Sequence, residues 1–215
     1  HHKWIDMMFN GAVFGAGVYP EGMHCFVYAM NVLFGVEVYS CMLFLGGIHI
    51  SSLLVAVYLF FKEIFPWKFS GVLVVVLYLI LQHDSATHVT SMARLQWTIP
   101  QEFAMFTVFL CGAYLLRFLR KVPVTKVRWK RWEFVRDENL LIFLMALAVS
   151  LAVHFYITIM AFFLCLAIGV FFLIWVFTKK QFVPLLAAIL CGVMIAVIPM
   201  LLALATGIPF QGSIG

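Results

Sequence analysis

The chain has 215 residues, of which 65% are hydrophobic and 11% are charged, and its mean hydropathy is +1.09. A soluble domain carries about 25% charged residues, so this composition excludes a soluble globular protein and indicates a polytopic membrane protein. The formal net charge of +5 is concentrated in short segments between apolar runs, which favours anionic lipid headgroups over a nucleic-acid partner. The five cysteines are scattered singly, which argues against a disulfide framework and against a zinc site.

The first 37 residues are predicted to form an outer loop that carries one short helix. The segment 23–34 is apolar but about half as long as a membrane span, which takes roughly 20 residues. We therefore expect an interfacial or re-entrant helix at the outer surface. Along it His24, Tyr28 and Asn31 fall on one helix face, so this polar stripe is expected to face something other than lipid. Because the chain opens within this loop, we also expect it to be a segment of a longer protein.

Three membrane spans are predicted in the first half of the chain, over residues 38–119. They cover 38–61, 67–82 and 103–119, and the second and third are joined by an outer loop at 82–102. A basic cytoplasmic loop at 120–139 follows them.

Three further spans are predicted within residues 140–215. The apolar run 140–177 would make a helix about twice as long as a bilayer is thick, so we expect two helices with a tight turn near residues 154–158. The last span covers 182–205. The predicted fold class is all-α, with residues 1–215 forming one transmembrane helical bundle of about six spans plus the interfacial helix.

The orientation follows from lysine and arginine, which favour the cytoplasmic side of short loops. Six spans with the N-terminus outside give inner loops that hold Lys62, Lys68, the basic residues of segment 117–136, Lys179 and Lys180. Only Lys3 and Arg94 are then left outside. The expected location is the plasma membrane, as an integral multi-pass protein with its N-terminus outside.

Histidines and carboxylates collect on the predicted outer side. They are Asp6, Glu21, His24, Glu37, His83, Asp84, His88 and Glu102. The simpler interpretation of any one of them is a hydrophilic loop residue in water. Asp84 and His88 are four apart and would share a helix face, which suits a carboxylate orienting an imidazole or a pair of metal ligands. Their HDxxxH spacing matches no standard zinc pattern, so no protein metal site is predicted, and a divalent cation held by carboxylates stays open as a cofactor.

Arg94 is almost the only predicted outer cation, and it lies in MARLQWTIPQEF beside Gln96 and near Glu102. A guanidinium presents a fork of donors that matches a phosphate or a carboxylate. The alternative is that Arg94 reaches the membrane interface or forms a salt bridge with Asp84 or Glu102.

The stretch GVYPEGMH, with Tyr19, Pro20, Gly22 and His24, directly precedes an apolar helix, and RLQWTIPQEF follows in the second outer segment. Together they resemble the multi-spanning glycosyltransferases of the GT-C superfamily, which includes oligosaccharyltransferase-like and mannosyltransferase-like enzymes. The resemblance implies that a sugar is transferred from a polyprenyl phosphate or diphosphate at the outer membrane face. The acidic residue of that family follows its first span closely, and neither that span nor the start of its loop is present in residues 1–215.

The resemblance also implies roles for the outer residues. An acidic residue of the first outer loop acts as general base on the acceptor hydroxyl, and basic or histidine side chains hold the lipid phosphate. The base candidates are Asp6, Glu21 and Asp84. The residues expected to bind substrate are Tyr19, His24, His88, Arg94, Gln96 and Glu102. The implied partners are a lipid-linked sugar donor, membrane lipid and adjoining parts of the same longer protein.

Two other classes of function remain open from the sequence. A transporter or channel would keep ionisable residues at mid-membrane depth, where they are costly. His49, beside Gly46 and Gly47, fits that description and is expected to face other helices. A non-catalytic assembly subunit would carry polar loops without a carboxylate and a phosphate-binding group.

Overall fold

The computed structural model describes residues 2–81, 98–120, 126–129, 132–135 and 137–210. Within these residues the helices are α1 His2–Phe9, α2 Gly22–Phe34, α3 Val38–Ile64, α4 Ser70–Leu81, α5 Pro100–Arg120, α6 Glu138–Val153, α7 Phe155–Phe171, α8 Leu173–Thr178 and α9 Phe182–Ala205. Two short strands, β1 Lys126–Trp129 and β2 Trp132–Val135, lie between α5 and α6.

Three helices, α3, α5 and α9, are long and apolar enough to cross a membrane. The apolar helices α2, α4, α6 and α7 are shorter, at 10–17 residues each. The prediction of a helical bundle of the membrane-protein type is therefore confirmed. The helix α4 begins at Ser70, three residues after the predicted start, because Pro66 ends the preceding helix and leaves a short turn.

The long apolar run in the second half is divided at His154, as predicted. This residue has an extended backbone, with φ −162° and ψ 124°, between the end of α6 and the start of α7. Its Nδ1 atom accepts a hydrogen bond from the backbone N–H of Tyr156 at 3.2 Å and so caps α7. The hydroxyl of Thr158 donates to the hydroxyl of Ser150 at 3.4 Å, which joins the two helices beside the break.

One end of the bundle, which we call the histidine end, contains His24 and His154. There the backbone N–H of Val18 donates to the carbonyl of Pro209 at 2.8 Å, which joins the N-terminal segment to the chain after α9. The hydroxyl of Thr98 donates to the carbonyl of Met42, so the start of α5 lies beside the start of α3.

The opposite end, which we call the basic end, is defined by Lys62, Lys68, Arg117, Arg120, Lys179 and Lys180. Arg117 Nε donates to Glu63 Oε1 at 2.8 Å and joins α5 to α3. The indole N–H of Trp175 donates to the carbonyl of Leu119 at 2.6 Å, so α8 lies beside the end of α5. Because these contacts join the start of α5 to the start of α3 and the end of α5 to the end of α3, the two helices run in the same direction.

The core surrounds α5, which packs against α3, α6 and α7. Its apolar side chains include Phe118 and Leu119, both with no exposed surface. In α3, His49 is only 1% exposed, which confirms that it faces protein.

Helix α2 lies across the histidine end, and its polar stripe faces protein, as predicted. His24 is fully buried. The ring of Tyr28 lies 5.0 Å from the ring of Phe9 in α1. The side-chain amide of Asn31 donates to the carbonyl of Val36 at 3.0 Å. We call residues 2–34 the N-terminal cap.

The segment between α5 and α6 contains a β-hairpin that the all-α prediction did not include. Strands β1 and β2 pair antiparallel, with Val127 opposite Phe134 and Trp129 opposite Trp132. The sequence KVRWKRWEFV is rich in β-branched and aromatic residues, which favour strands. The sequence analysis predicted a basic cytoplasmic loop over residues 120–139.

Candidate functional site at the histidine end

The stretch Tyr19–Pro20–Glu21 lies where the N-terminal cap meets the bundle. Pro20 restricts its own φ and favours an extended conformation at Tyr19. Gly17, at φ +102°, turns the chain just before this stretch, in a region that favours glycine. The chain then enters α2 at Gly22, with Glu21 at the N-cap position.

Gly22 brings the start of α2 against the end of α6. A Cβ atom built on Gly22 would lie 2.8 Å from the carbonyl oxygen of Ala152 and 3.1 Å from a methyl carbon of Val153. Glycine is therefore required here by the close approach of two backbones.

We expect Gly22→Ala to lower the free energy of unfolding by about 1–3 kcal/mol, because the added methyl group overlaps backbone that cannot move aside. Gly47→Ala is the matched control, since a Cβ at Gly47 in α3 meets nothing within 4 Å. It should be neutral or stabilising by up to about 1 kcal/mol, the helix-propensity gain of alanine. Thermal unfolding in detergent measures both variants, and equal effects would contradict the close approach.

The Glu21 side chain turns back onto the loop instead of capping α2. It is 5% exposed, and its Oε2 atom accepts a hydrogen bond from the backbone N–H of Phe14 at 3.3 Å. Phe14 has φ +62°, a left-handed conformation that costs a bulky residue about 1–3 kcal/mol. Glu21 thus helps to hold a strained loop over the end of the bundle.

Burial raises the pKa of Glu21, and the hydrogen bond from Phe14 opposes this by favouring the charged form. A carboxylate with a raised pKa is a stronger base.

Aromatic and imidazole rings surround this turn. The ring of Tyr19 lies 6.1 Å from that of Trp4, 5.9 Å from that of His154 and 5.9 Å from that of Phe155, edge to face in each case. The ring of His24 lies 4.8 Å from that of Trp4. Tyr19 therefore joins α1 to the break between α6 and α7, and Trp4 covers His24.

Both histidines of this cluster have a lowered pKa. Burial lowers the pKa of His24 to about 4. Burial also lowers the pKa of His154. Both imidazoles are therefore neutral at pH 7. A contact between His24 and a phosphate would first require α1 to move away from it.

The structure brings together three of the predicted site residues, Tyr19, Glu21 and His24. Asp6 lies on α1 with its side chain exposed. Glu102 is buried in the first turn of α5, where a carboxylate is favoured by the helix dipole. The remaining predicted residues, Asp84, His88, Arg94 and Gln96, lie outside the described residues.

Three residues of the site were not predicted from the sequence, namely Trp4, Phe14 and His154. His154 had a usable signal, because it is the polar residue at the predicted turn of the 140–177 run. Trp4 and Phe14 contact residues distant in sequence and carry no signal of their own.

Among the described residues, no three histidine, cysteine, aspartate or glutamate side chains are grouped so that they could hold a metal ion. Comparisons of the chain with models of known protein families, with curated proteins and with solved structures found no match.

Proposed function

We propose that this chain is a membrane glycosyltransferase of the GT-C type, which transfers a sugar from a polyprenyl-phosphate-linked donor at the outer membrane face. The observation that supports it is the position of Glu21. This carboxylate is almost fully buried in the Tyr19–Pro20–Glu21 turn, at the end of the bundle opposite to the basic end.

In the proposed reaction, Glu21 is the general base. The oxygen of the acceptor hydroxyl forms a bond to the anomeric carbon of the sugar, and the bond from that carbon to the phosphate oxygen breaks. The hydroxyl proton passes to the Glu21 carboxylate, and the bond electrons leave with the phosphate. Such proton transfer contributes about 10²–10⁴ in rate.

Glu21 is preferred over Asp6 because of their surroundings. Burial raises the pKa of Glu21 and strengthens it as a base, whereas the Asp6 side chain is exposed to solvent on α1. Tyr19 lies on the same turn and contacts Trp4 and His154, and His24 lies in the first turn of α2 and contacts Trp4, so both rings tie this turn to the neighbouring elements. The assignment of Arg94 and His88 to the donor phosphate stays a prediction.

The proposal places the histidine end outside the cell and the basic end in the cytoplasm, in a plasma-membrane protein of six spans. Lysine and arginine favour the cytoplasmic side, and the basic end holds Lys62, Lys68, Arg117, Arg120, Lys179 and Lys180.

We expect Val13→Cys and Lys179→Cys, each in a background without the five native cysteines, to react from opposite sides of the membrane. Both positions are exposed, and they lie at opposite ends of the bundle. A membrane-impermeant maleimide applied to intact cells should label only Val13→Cys. Labelling of both variants from one side would contradict the orientation.

The proposed activity is tested by binding of a polyprenyl-phosphate sugar to the purified protein in detergent. Saturable binding is expected, with weaker binding of the matching polyprenol that lacks the phosphate. Equal binding of the two lipids would contradict a phosphate-linked donor, and the helical bundle would then have another function.

A further inference from the structure

Two adjoining cavities lie between α3 and α4. The first, of about 400 Å³, lies at the basic end where the chain passes from α3 to α4, and Lys62 and Lys68 line it. The second, of about 280 Å³, lies between the same helices closer to the middle of the bundle. Tyr58 and Val72 line both cavities, so the two cavities adjoin, and we call them together the α3–α4 groove.

The part of the α3–α4 groove that lies at the basic end is positively charged. The ammonium group of Lys62 lies 5.7 Å from the centre of the Tyr58 ring, and that of Lys68 lies 5.7 Å from the centre of the Phe69 ring. The carboxylate of Glu63 is bonded to Arg117 at 2.8 Å. In the part of the chain that the structure describes, this carboxylate is thus matched by an arginine, and both lysine charges face the groove.

The part of the α3–α4 groove closer to the middle of the bundle is apolar. Apart from the Tyr58 ring, its walls are the aliphatic side chains Leu54, Val55, Val72, Val75 and Val76. On α4, Val72 is 50% exposed and Val76 is 45% exposed, so both present apolar surface to the groove. This part extends over about one helix turn, or roughly 5 Å.

A cavity lined by two lysines that adjoins an apolar cavity matches an amphipathic ligand. We propose that the α3–α4 groove binds one anionic glycerophospholipid, with its phosphate at Lys62 and Lys68 and one acyl chain against α3 and α4. Trp67, which lines the cavity with the two lysines, is a residue type that anchors proteins at the membrane surface. Basic pockets between membrane helices on the cytoplasmic side bind anionic headgroups. A free phosphate ion would make no use of the apolar part.

The test is native mass spectrometry of the full chain in detergent, titrated with phosphatidylglycerol or phosphatidylcholine of the same acyl chains. One phosphatidylglycerol should bind about thirtyfold more tightly than phosphatidylcholine, the effect expected of two basic residues that each contribute about 1 kcal/mol at a membrane surface. The double variant Lys62→Gln/Lys68→Gln should abolish this preference. An equal molar amount of inorganic phosphate should not displace the lipid.

The matched control is Lys179→Gln/Lys180→Gln. It removes the same charge from the same end, and Lys179 also lies over an aromatic ring, 4.9 Å from that of Trp175, but outside the groove. The control should keep the preference. Equal loss in both double variants would show diffuse surface charge instead of a site, and displacement by inorganic phosphate would show an anion site without a lipid.

The apolar part is tested by Val76→Trp, which fills the groove without changing its charge. It should weaken phosphatidylglycerol binding by about threefold or more, because the acyl chain loses buried contact area. Unchanged binding would overturn the placement of the chain between α3 and α4. None of these measurements depends on sugar transfer, so their failure would leave the proposed function untouched.

Discussion

Glu21→Gln is expected to lower the rate of sugar transfer by about 10²- to 10⁴-fold, the contribution of a general base, while leaving the protein folded. The glutamine side chain keeps an oxygen that can accept the hydrogen bond from Phe14, which Glu21 accepts at 3.3 Å. It cannot take up the acceptor proton at neutral pH. The measurement is transfer from a polyprenyl-phosphate sugar in reconstituted membranes, together with the thermal midpoint.

Three further variants make this result specific. Glu138→Gln, at an exposed position in the first turn of α6 at the basic end, should keep full activity. Glu21→Ala should lose both activity and stability, because it also removes the acceptor for Phe14. Asp6→Asn tests the other described candidate base. A larger loss of transfer activity in Asp6→Asn than in Glu21→Gln would indicate that Asp6, on α1, is the base.

The sequence predicted the helical elements well where one physical limit decided the outcome. A single helix over residues 140–177 would be too long for a bilayer, and the break falls at His154, where a ring nitrogen caps the next helix. Segment 23–34 was predicted to be a short helix, and α2 covers Gly22–Phe34 with His24 buried; its position relative to the membrane stays a prediction. The pairing of β1 with β2 was not predicted, although the β-branched and aromatic residues of KVRWKRWEFV favour strands.

The candidate site was predicted only in its local part. Tyr19, Glu21 and His24 belong to one short stretch, and proline and glycine around them already indicate a turn. The partners Trp4 and His154 come from α1 and from the α6–α7 break, about 150 residues apart in sequence. A single sequence does not indicate such contacts, because they depend on how the helices pack against one another. The positive φ of Phe14 could not be predicted from the sequence either, since phenylalanine rarely adopts this conformation.

His24 should make the folded protein sensitive to acid, and the sign follows from its pKa. Burial lowers the pKa of His24 from its usual 6.5 to about 4. Between these values the unfolded chain binds a proton that the folded protein does not, so the free energy of unfolding falls as the pH falls from 6.5 toward 4. At pH 5 this amounts to about 2 kcal/mol, or about 4–8 °C in the thermal midpoint. Burial raises the pKa of Glu21, so Glu21 changes the free energy of unfolding with pH in the opposite direction. The contribution of His24 is therefore measured as a difference between variants.

We therefore expect the thermal midpoint of the unmodified protein to fall between pH 7.5 and pH 5 by about 4–8 °C more than that of His24→Phe. Phenylalanine keeps a ring against Trp4, where the imidazole now lies at 4.8 Å, but cannot be protonated. Tyr28→Phe, on the same face of α2, is the matched control and should keep the full dependence on pH, because it leaves His24 in place. If the unmodified protein and His24→Phe lost stability equally on acidification, the imidazole would be open to water. Trp4 would then not cover it, and His24 would become available to carry a charge toward a donor phosphate.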